Sequence, residues 1–202
     1  MIIGLTGGSG CGKSTALRAA RACGARTLDC DTIYHTLLDT DAALQSAISA
    51  RFPGVFSCGV LDRRALGEIV FRDPAALCDL NAITHHFVCD AVRERLKTAP
   101  ALTVIEAIAL FESGLSDLCD RTVAVTAPEE ARIRRLMARD GISREYAKAR
   151  IAAQLPQQAY VRMCDETLEN TADADTFYAQ CLAFFQNQAI IGKDKTERRS
   201  TL

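Results

Sequence analysis

The chain has 202 residues, 49% hydrophobic and 24% charged, with 24 Lys and Arg against 25 Asp and Glu for a net charge of −1. That length suits one α/β domain with a sizeable insertion, and the balanced charge supplies no global basic field, so neither a nucleic acid nor an anionic membrane is expected as a partner. No apolar stretch approaches the ~20 residues of a membrane span, and a chain that opens directly in a strand is expected to carry no signal peptide.

The first strand is predicted over Ile2–Thr6. The residues that follow, Gly7-Gly8-Ser9-Gly10-Cys11-Gly12-Lys13-Ser14-Thr15, fit G-x-x-x-x-G-K-[ST] at Gly7, Gly12, Lys13 and Ser14. The helix formers Ala16-Leu17-Arg18-Ala19-Ala20 come next. Strand, glycine-rich turn and helix are the setting in which this pattern has physical meaning. Glycines let several backbone N–H groups close on a phosphate chain because no Cβ obstructs the approach. The helix N-terminus adds its positive dipole end. In that arrangement Lys13 reaches the outer phosphates and Ser14 offers a hydroxyl to Mg²⁺. A bound nucleoside triphosphate is expected, held by Gly8, Gly10, Cys11, Gly12, Lys13, Ser14 and Thr15, with Lys13 in a solvent-facing loop.

A second strand, Arg26–Asp29, runs into Asp29-Cys30-Asp31-Thr32 and a helix over Ile33–Leu38. Carboxyl ends of parallel strands line the ligand crevice of an α/β sheet. Asp29 or Asp31 would then face the outer phosphate, where a carboxylate can orient an acceptor hydroxyl and take its proton. Helix capping is the competing reading, and one acid could cap while the other catalyses. The segment Ala42–Leu96 reads as helical, broken near Phe52-Pro53-Gly54 and Asp73-Pro74, with helices over Arg63–Phe71, Pro74–Thr84 and Phe87–Leu96. It is too long for one crossover helix. It is expected to pack as a helical subdomain that grips an acceptor, or else as a pad covering the sheet.

Strands over Leu102–Ile105, Thr122–Val125 and Glu166–Glu169 complete a five-stranded, mostly parallel sheet. The fold class expected is a three-layer α/β/α P-loop architecture with a helical insertion and a small helical lid. Between the last two strands, Arg132, Arg135 and Arg139 recur at i, i+3 and i+7 on one helix face. Such a stripe is either solvated surface or part of a lid closing over the triphosphate. The expected division is a core of about residues 1–41, 97–127 and 160–190, a helical subdomain of about 42–96 and a lid of about 128–159. The polar tail 192–202 is expected to fray.

Nine cysteines occur, with no C-x-x-C among them. They are read as free thiols of a cytoplasmic protein, mostly buried as small hydrophobes. Cys11 stands apart, because backbone N–H groups, a helix N-terminus and Lys13 all favour a thiolate. It is either a reactive thiol that bound Mg-ATP shields or a side chain turned away into packing.

Taken in order, these motifs resemble the dephospho-CoA kinases, a family of the adenylate-kinase-like P-loop kinases, over about residues 2–171. The resemblance rests on Gly4-Leu5-Thr6-Gly7-Gly8, Asp29-Cys30-Asp31, Asp62-Arg63-Arg64-Ala65-Leu66, Ile69-Val70-Phe71 and Leu80-Asn81-Ala82-Ile83-Thr84-His85. It continues through Leu110-Phe111-Glu112, Arg135-Leu136-Met137-Ala138-Arg139-Asp140, Arg150-Ile151-Ala152-Ala153-Gln154 and the closing strand from Asp165 to Asn170. The chain departs from the family at His86, where Pro is usual, at Ala107-Ile108-Ala109-Leu110-Phe111-Glu112, where Pro-Leu-Leu-Phe-Glu is usual, and at Tyr160, where a basic residue often stands, although Arg162 lies close by. The resemblance implies transfer of the ATP γ-phosphoryl group to the ribose 3′-hydroxyl of dephospho-CoA. It implies Asp31 as the base, Lys13 and Arg139 as the other catalytic groups, and Asn170 beside the adenine. Ser14 would hold Mg²⁺, Glu106 could either join the metal shell through water or cap the next segment, and Arg63 and His85 would contact the acceptor. A monomer or weak homo-oligomer is expected. The nearer rival is another small-molecule or nucleotide kinase of this fold. A GTP-driven switch fits less well, since Asp-x-x-Gly and Asn-Lys-x-Asp are missing from their usual places.

Overall fold

The alternation of short β-branched runs with amphipathic stretches produces a parallel sheet wrapped by helices, seen here in a computed structural model describing residues 1–57 and 59–200, without the side chains of Phe71 and residues 191–200. The chain divides into two compact units, one of residues 1–28 and 98–202 and one of residues 29–97. The helical unit thus starts at Asp29, where the sequence reading set its start near residue 42.

The first unit is built on a five-stranded sheet. Its strands are β1 (Ile2–Thr6), β2 (Arg26–Asp29), β5 (Thr103–Glu106), β6 (Arg121–Thr126) and β7 (Glu166–Glu169), in the order β2-β5-β1-β6-β7. β1 lies parallel to both β5 and β6, with Gly4 opposite Ile105 and Thr122, and β7 is parallel to β6. Parallel strands buried on both faces need apolar residues throughout, which is why Ile3, Leu5, Val104, Val123 and Val125 are fully buried. One face is covered by α1 (Lys13–Ala22) and α9 (Ala174–Ser200). Ala16, Leu17 and Ala20 of α1 meet Phe177, Cys181 and Phe185 of α9 in one apolar cluster. Three further helices lie between β6 and β7: α6 (Glu129–Asp140), α7 (Arg144–Ala152) and α8 (Gln157–Met163). Ile133 and Leu136 of α6 pack with Ala147 of α7 in a small core of their own.

The second unit contains α2 (Cys30–Thr40), α3 (Ala42–Arg51), β3 (Phe56–Ser57), β4 (Val60–Leu61), α4 (Arg63–Arg72) and α5 (Pro74–Leu96). Aspartates start all four helices. Asp29, Asp41, Asp62 and Asp73 accept from the N–H groups of Thr32, Leu44, Ala65 and Ala75, each at 2.9–3.0 Å, and such caps satisfy first-turn donors that have no intrahelical partner. The core joins Leu38, Leu44, Ile48, Phe52, Leu66 and Leu80.

Three expectations are corrected. The helices placed at Pro74–Thr84 and Phe87–Leu96 are one continuous α5. Its buried residues Ala76, Leu80, Thr84, Val88 and Val92 keep an unbroken four-residue spacing, and nothing at His85-His86 stops a helix. An antiparallel hairpin, Phe56 opposite Leu61 and Ser57 opposite Val60, occupies part of the segment read as helical. The tail expected to fray is helical as far as Ser200, its Lys, Glu and Arg being good helix formers; Thr201 and Leu202 lie outside the described residues.

Phe177 is 1% exposed within the cluster that joins α1 to α9. Phe177→Ala should therefore cost about 3–5 kcal/mol of stability, the usual range for emptying a buried aromatic site, read as a lower urea midpoint with an unchanged slope.

Candidate active site

The loop that leaves β1 reaches α1 through Gly12, whose left-handed φ of 109° makes it a helix cap without a side chain. The first N–H groups of α1 therefore lack a capping side chain and face whatever the loop encloses. Lys13 folds back across the loop. Its Nζ donates to the carbonyls of Gly7 at 2.9 Å and Gly8 at 3.4 Å, and lies 3.5 Å from Glu106 Oε1 at the end of β5. The Lys13 side chain is only 11% exposed, which corrects its placement in a solvent-facing loop.

Two arginines of α6 grip the outside of this loop. Arg132 Nε donates to the Ser9 carbonyl at 2.9 Å, and its Nη2 lies 3.4 Å from Gln154 Oε1. Arg135 Nη1 donates to the carbonyls of Gly10 at 3.1 Å and Cys11 at 3.4 Å, while Nη2 donates to Asn170 Oδ1 at 3.0 Å. Asn170 in turn donates from Nδ2 to the Cys11 carbonyl at 2.8 Å. Among the described residues neither guanidinium is ion-paired with a carboxylate, although Arg132 is 5% exposed. A buried cation with neutral partners only is costly. An anion held by the loop would lower that cost. A cavity of about 260 Å³ opens beside it, lined by Pro128, Ala131, Arg135, Asn170 and Thr171.

The structure brings Gly8, Gly10, Gly12, Lys13 and Asn170 together and leaves Ser14 exposed on the first turn of α1, with Thr15 beside it. Cys11 lies in the loop, but its side chain is 1% exposed in the apolar cluster with Ala16 and Phe177. Its backbone can serve a phosphate, and its burial favours the alternative in which the side chain is turned into packing. Arg139, chosen from the stripe, lies on Asp140, with Nε–Oδ1 at 2.6 Å and Nη2–Oδ2 at 2.9 Å. That bond, joined by one from Arg150, holds the Asp140 carboxyl below its ordinary range. In the helical unit, Asp29 caps α2 and Asp31 sits in its first turn, with no capping bond of its own. Arg63 contacts His35 at 3.0 Å and Asp39 at 3.6 Å, and His85 lies half-buried on α5. Tyr160 is a buried core residue, and burial raises its phenol pKa.

Arg132, Arg135 and Gln154 were not singled out as site residues from sequence. Two of them belong to the arginine stripe, whose period was legible although the turns that meet the loop were not. Gln154 had no signal beyond its place in the family motif.

A glycine loop entering a helix at the carboxyl edge of a mostly parallel sheet, gripped from outside by arginines, places the molecule among the P-loop kinases of α/β architecture. The CoaE, dephospho-CoA kinase, family model matches residues 1–176. A dephospho-CoA kinase of Carboxydothermus hydrogenoformans is 36% identical over 191 residues, covering 92% of this chain and 93% of that one. Among solved structures, TT1252 of Thermus thermophilus superposes with a TM-score of 0.78 at 36% identity, covering 93% of this chain and 97% of that one. The dephospho-CoA kinase of Campylobacter jejuni gives 0.67 at 28% identity, covering 93% and 96%. The chain belongs to the dephospho-CoA kinase family, whose members are ATP-dependent phosphotransferases.

Burial also orders the thiols. It pushes Cys119 and Cys181 up to about 12 and Cys164 to about 11, while Cys78 is exposed on α5. Since the thiolate is the nucleophile, limiting iodoacetamide at pH 8 should label Cys78 well ahead of Cys11, Cys119 and Cys181, whether or not Mg-ATP is present. Peptide mass mapping that finds Cys11 modified as fast as Cys78 would contradict its buried placement.

Proposed function

We propose that the chain transfers the γ-phosphoryl group of ATP to the ribose 3′-hydroxyl of dephospho-CoA, giving CoA and ADP, the last step of coenzyme A biosynthesis. The observation that carries the reading is electrostatic: Lys13, Arg132 and Arg135 converge on a glycine loop, with the Glu106 carboxylate beside Lys13. Such a loop fits a polyanion. Family membership supports dephospho-CoA as the acceptor.

In this reading the loop amides and Lys13 hold the β- and γ-phosphates, so charge spreading over the transferring group meets fixed donors in place of water. The cavity beside Asn170 would take the adenine ring. The exposed Ser14 hydroxyl and the Glu106 carboxylate are hard oxygen donors of the kind that suits Mg²⁺, which keeps several of its own waters. When bound, Mg²⁺ neutralises phosphate charge. Asp31 lies two residues past the end of β2, in the first turn of α2, and would accept the 3′-hydroxyl proton as that oxygen bonds to the γ-phosphorus and the bridging oxygen leaves with ADP. Arg63 and His85 are the proposed acceptor contacts, and Arg139 would exchange Asp140 for phosphate oxygens as the lid closes. A cytoplasmic monomer or weak homo-oligomer is proposed. No described helix is long and apolar enough to cross a membrane.

The test is one assay with purified protein, Mg-ATP and dephospho-CoA, reading CoA by mass. Faster phosphorylation of nucleoside monophosphates than of dephospho-CoA would favour the nucleotide-kinase rival.

Asp31→Asn should lower kcat by roughly 10²–10⁴-fold with little change in ATP affinity, because the amide matches the shape but cannot take a proton. Asp29→Asn should be mild, since asparagine caps a helix nearly as well as aspartate. Steady-state kinetics on the two variants decide the assignment, and a reversed order moves the base to Asp29. Lys13→Ala should leave less than about a tenth of the parent rate, given the cost of removing a transition-state charge donor.

A further inference from the structure

Ser9 is tied down at every polar atom it has. Its N–H donates to Gln154 Oε1 at 2.8 Å, its hydroxyl accepts from Gln154 Nε2 at 2.7 Å, and its carbonyl accepts from Arg132 Nε at 2.9 Å. Arg132 Nη2 closes the circuit on Gln154 Oε1 at 3.4 Å. Ser9 is 5% exposed and Arg132 also 5%, so the bonds are sheltered from water. Gln154 stands just past α7 and Arg132 inside α6, in the segment between β6 and β7 proposed as the lid. The two glycines flanking Ser9 fit the same contact. A Cβ on Gly8 would overlap Arg132 Nη2, and one on Gly10 would come within 2.8 Å of the Arg132 carbonyl. These glycines admit α6 against the back of the loop as well as phosphate against its front.

We propose that Gln154 and Arg132 are positioning residues that clasp Ser9 and so hold the phosphate loop in its ligand-ready shape, coupling the lid segment to ATP affinity. The proposal rests on the ATP-dependent reading given above. A loop with glycine at positions 7, 8, 10 and 12 loses much backbone entropy when it orders. If the clasp meets that cost before ATP arrives, binding need not. Loss of the clasp then weakens ATP binding in ground state and transition state alike. KM for ATP rises while kcat stays near its parent value. Gln154 acts through Ser9, directly and by way of Arg132, so the part of its effect carried by Nε2 depends on the Ser9 hydroxyl.

The test is titration calorimetry of the full chain with Mg-ATP on the parent, Gln154→Ala, Ser9→Ala and the double variant, with melting temperatures measured alongside. Gln154→Ala should raise the ATP Kd roughly 5–30-fold, the size of a few sheltered hydrogen bonds. KM for ATP should rise in step, with kcat within about twofold and KM for dephospho-CoA unchanged. Ser9→Ala should weaken binding less, and the double variant should lose less than the product of the two single losses, as coupled neighbours do. Should Gln154→Ala fail to fold, Gln154→Asn, one methylene too short to reach Ser9, is read in the same way. A variant that melts lower but binds ATP like the parent makes Gln154 merely structural and overturns the proposal. So do fully multiplicative losses, or a fall in kcat at unchanged Kd. A parent that binds ATP but makes no CoA from dephospho-CoA refutes the acceptor assignment and leaves the clasp to be judged on the titration. A parent that binds no ATP refutes both.

Discussion

A loop that wraps phosphate with bare backbone must do without side chains where contact is closest, and so has few groups of its own to hold its shape. The rest of the first unit answers that constraint. Lys13 bonds back to Gly7 and Gly8, Asn170 holds the Cys11 carbonyl, Arg135 holds Gly10 and Cys11, and Arg132 with Gln154 holds Ser9. These anchors come from α1, α6, the turn after α7 and the end of β7. The parallel sheet is what brings their origins to one edge, since β1, β5, β6 and β7 run in the same direction. Packing beneath the loop completes the support, with the Cys11 side chain buried among α1 and α9 residues.

The electrostatics follow from the same anchors. Three cations, Lys13, Arg132 and Arg135, stand around the loop, and the Glu106 carboxylate lies beside Lys13. Carbonyl oxygens satisfy the geometry of the guanidinium donors but bring no opposing charge. The excess is a standing cost to the folded state, set against the hydrophobic clusters of the sheet. It is recovered when a polyanion binds the native form alone, because such a ligand stabilises what it binds. The site is therefore organised by bonds from cationic side chains to neutral carbonyl oxygens and carries an excess of positive charge, the condition under which an anionic ligand gains most.

Much of this was readable in the sequence. β1, β2 and β7 fall on their expected bounds, because short runs bounded by glycine or acidic turns leave little ambiguity. The hairpin at Phe56–Leu61 was hidden, since strands of two residues carry no periodicity to detect. The arginine stripe shows the limit most clearly. A helix rises ~1.5 Å per residue, so Arg139 stands about 10 Å further along α6 than Arg132. Sequence spacing puts all three arginines on one face, but only the loop's position decides which turns it meets. Gln154 was harder still, for its partner lies 145 residues away. The Cys11 side chain went the same way: the loop's backbone was legible, but the direction of one sulfur depended on α9, whose Phe177 and Cys181 come much later in the chain.

The two aspartates after β2 show how structure separates residues that composition leaves equivalent. Every helix of the second unit begins on an aspartate, so capping is the ordinary work of an acid there, and Asp29 does it by accepting the Thr32 N–H at 3.0 Å. A helix has one cap position. Asp31, two residues on, lies within the first turn of α2 and gives no capping bond. A carboxylate there still gains from the positive end of the helix, but any residue with helical propensity would serve the fold. What capping does not require of Asp31 is available to chemistry, and the cap supplied by Asp29 fixes the turn on which that carboxylate is carried.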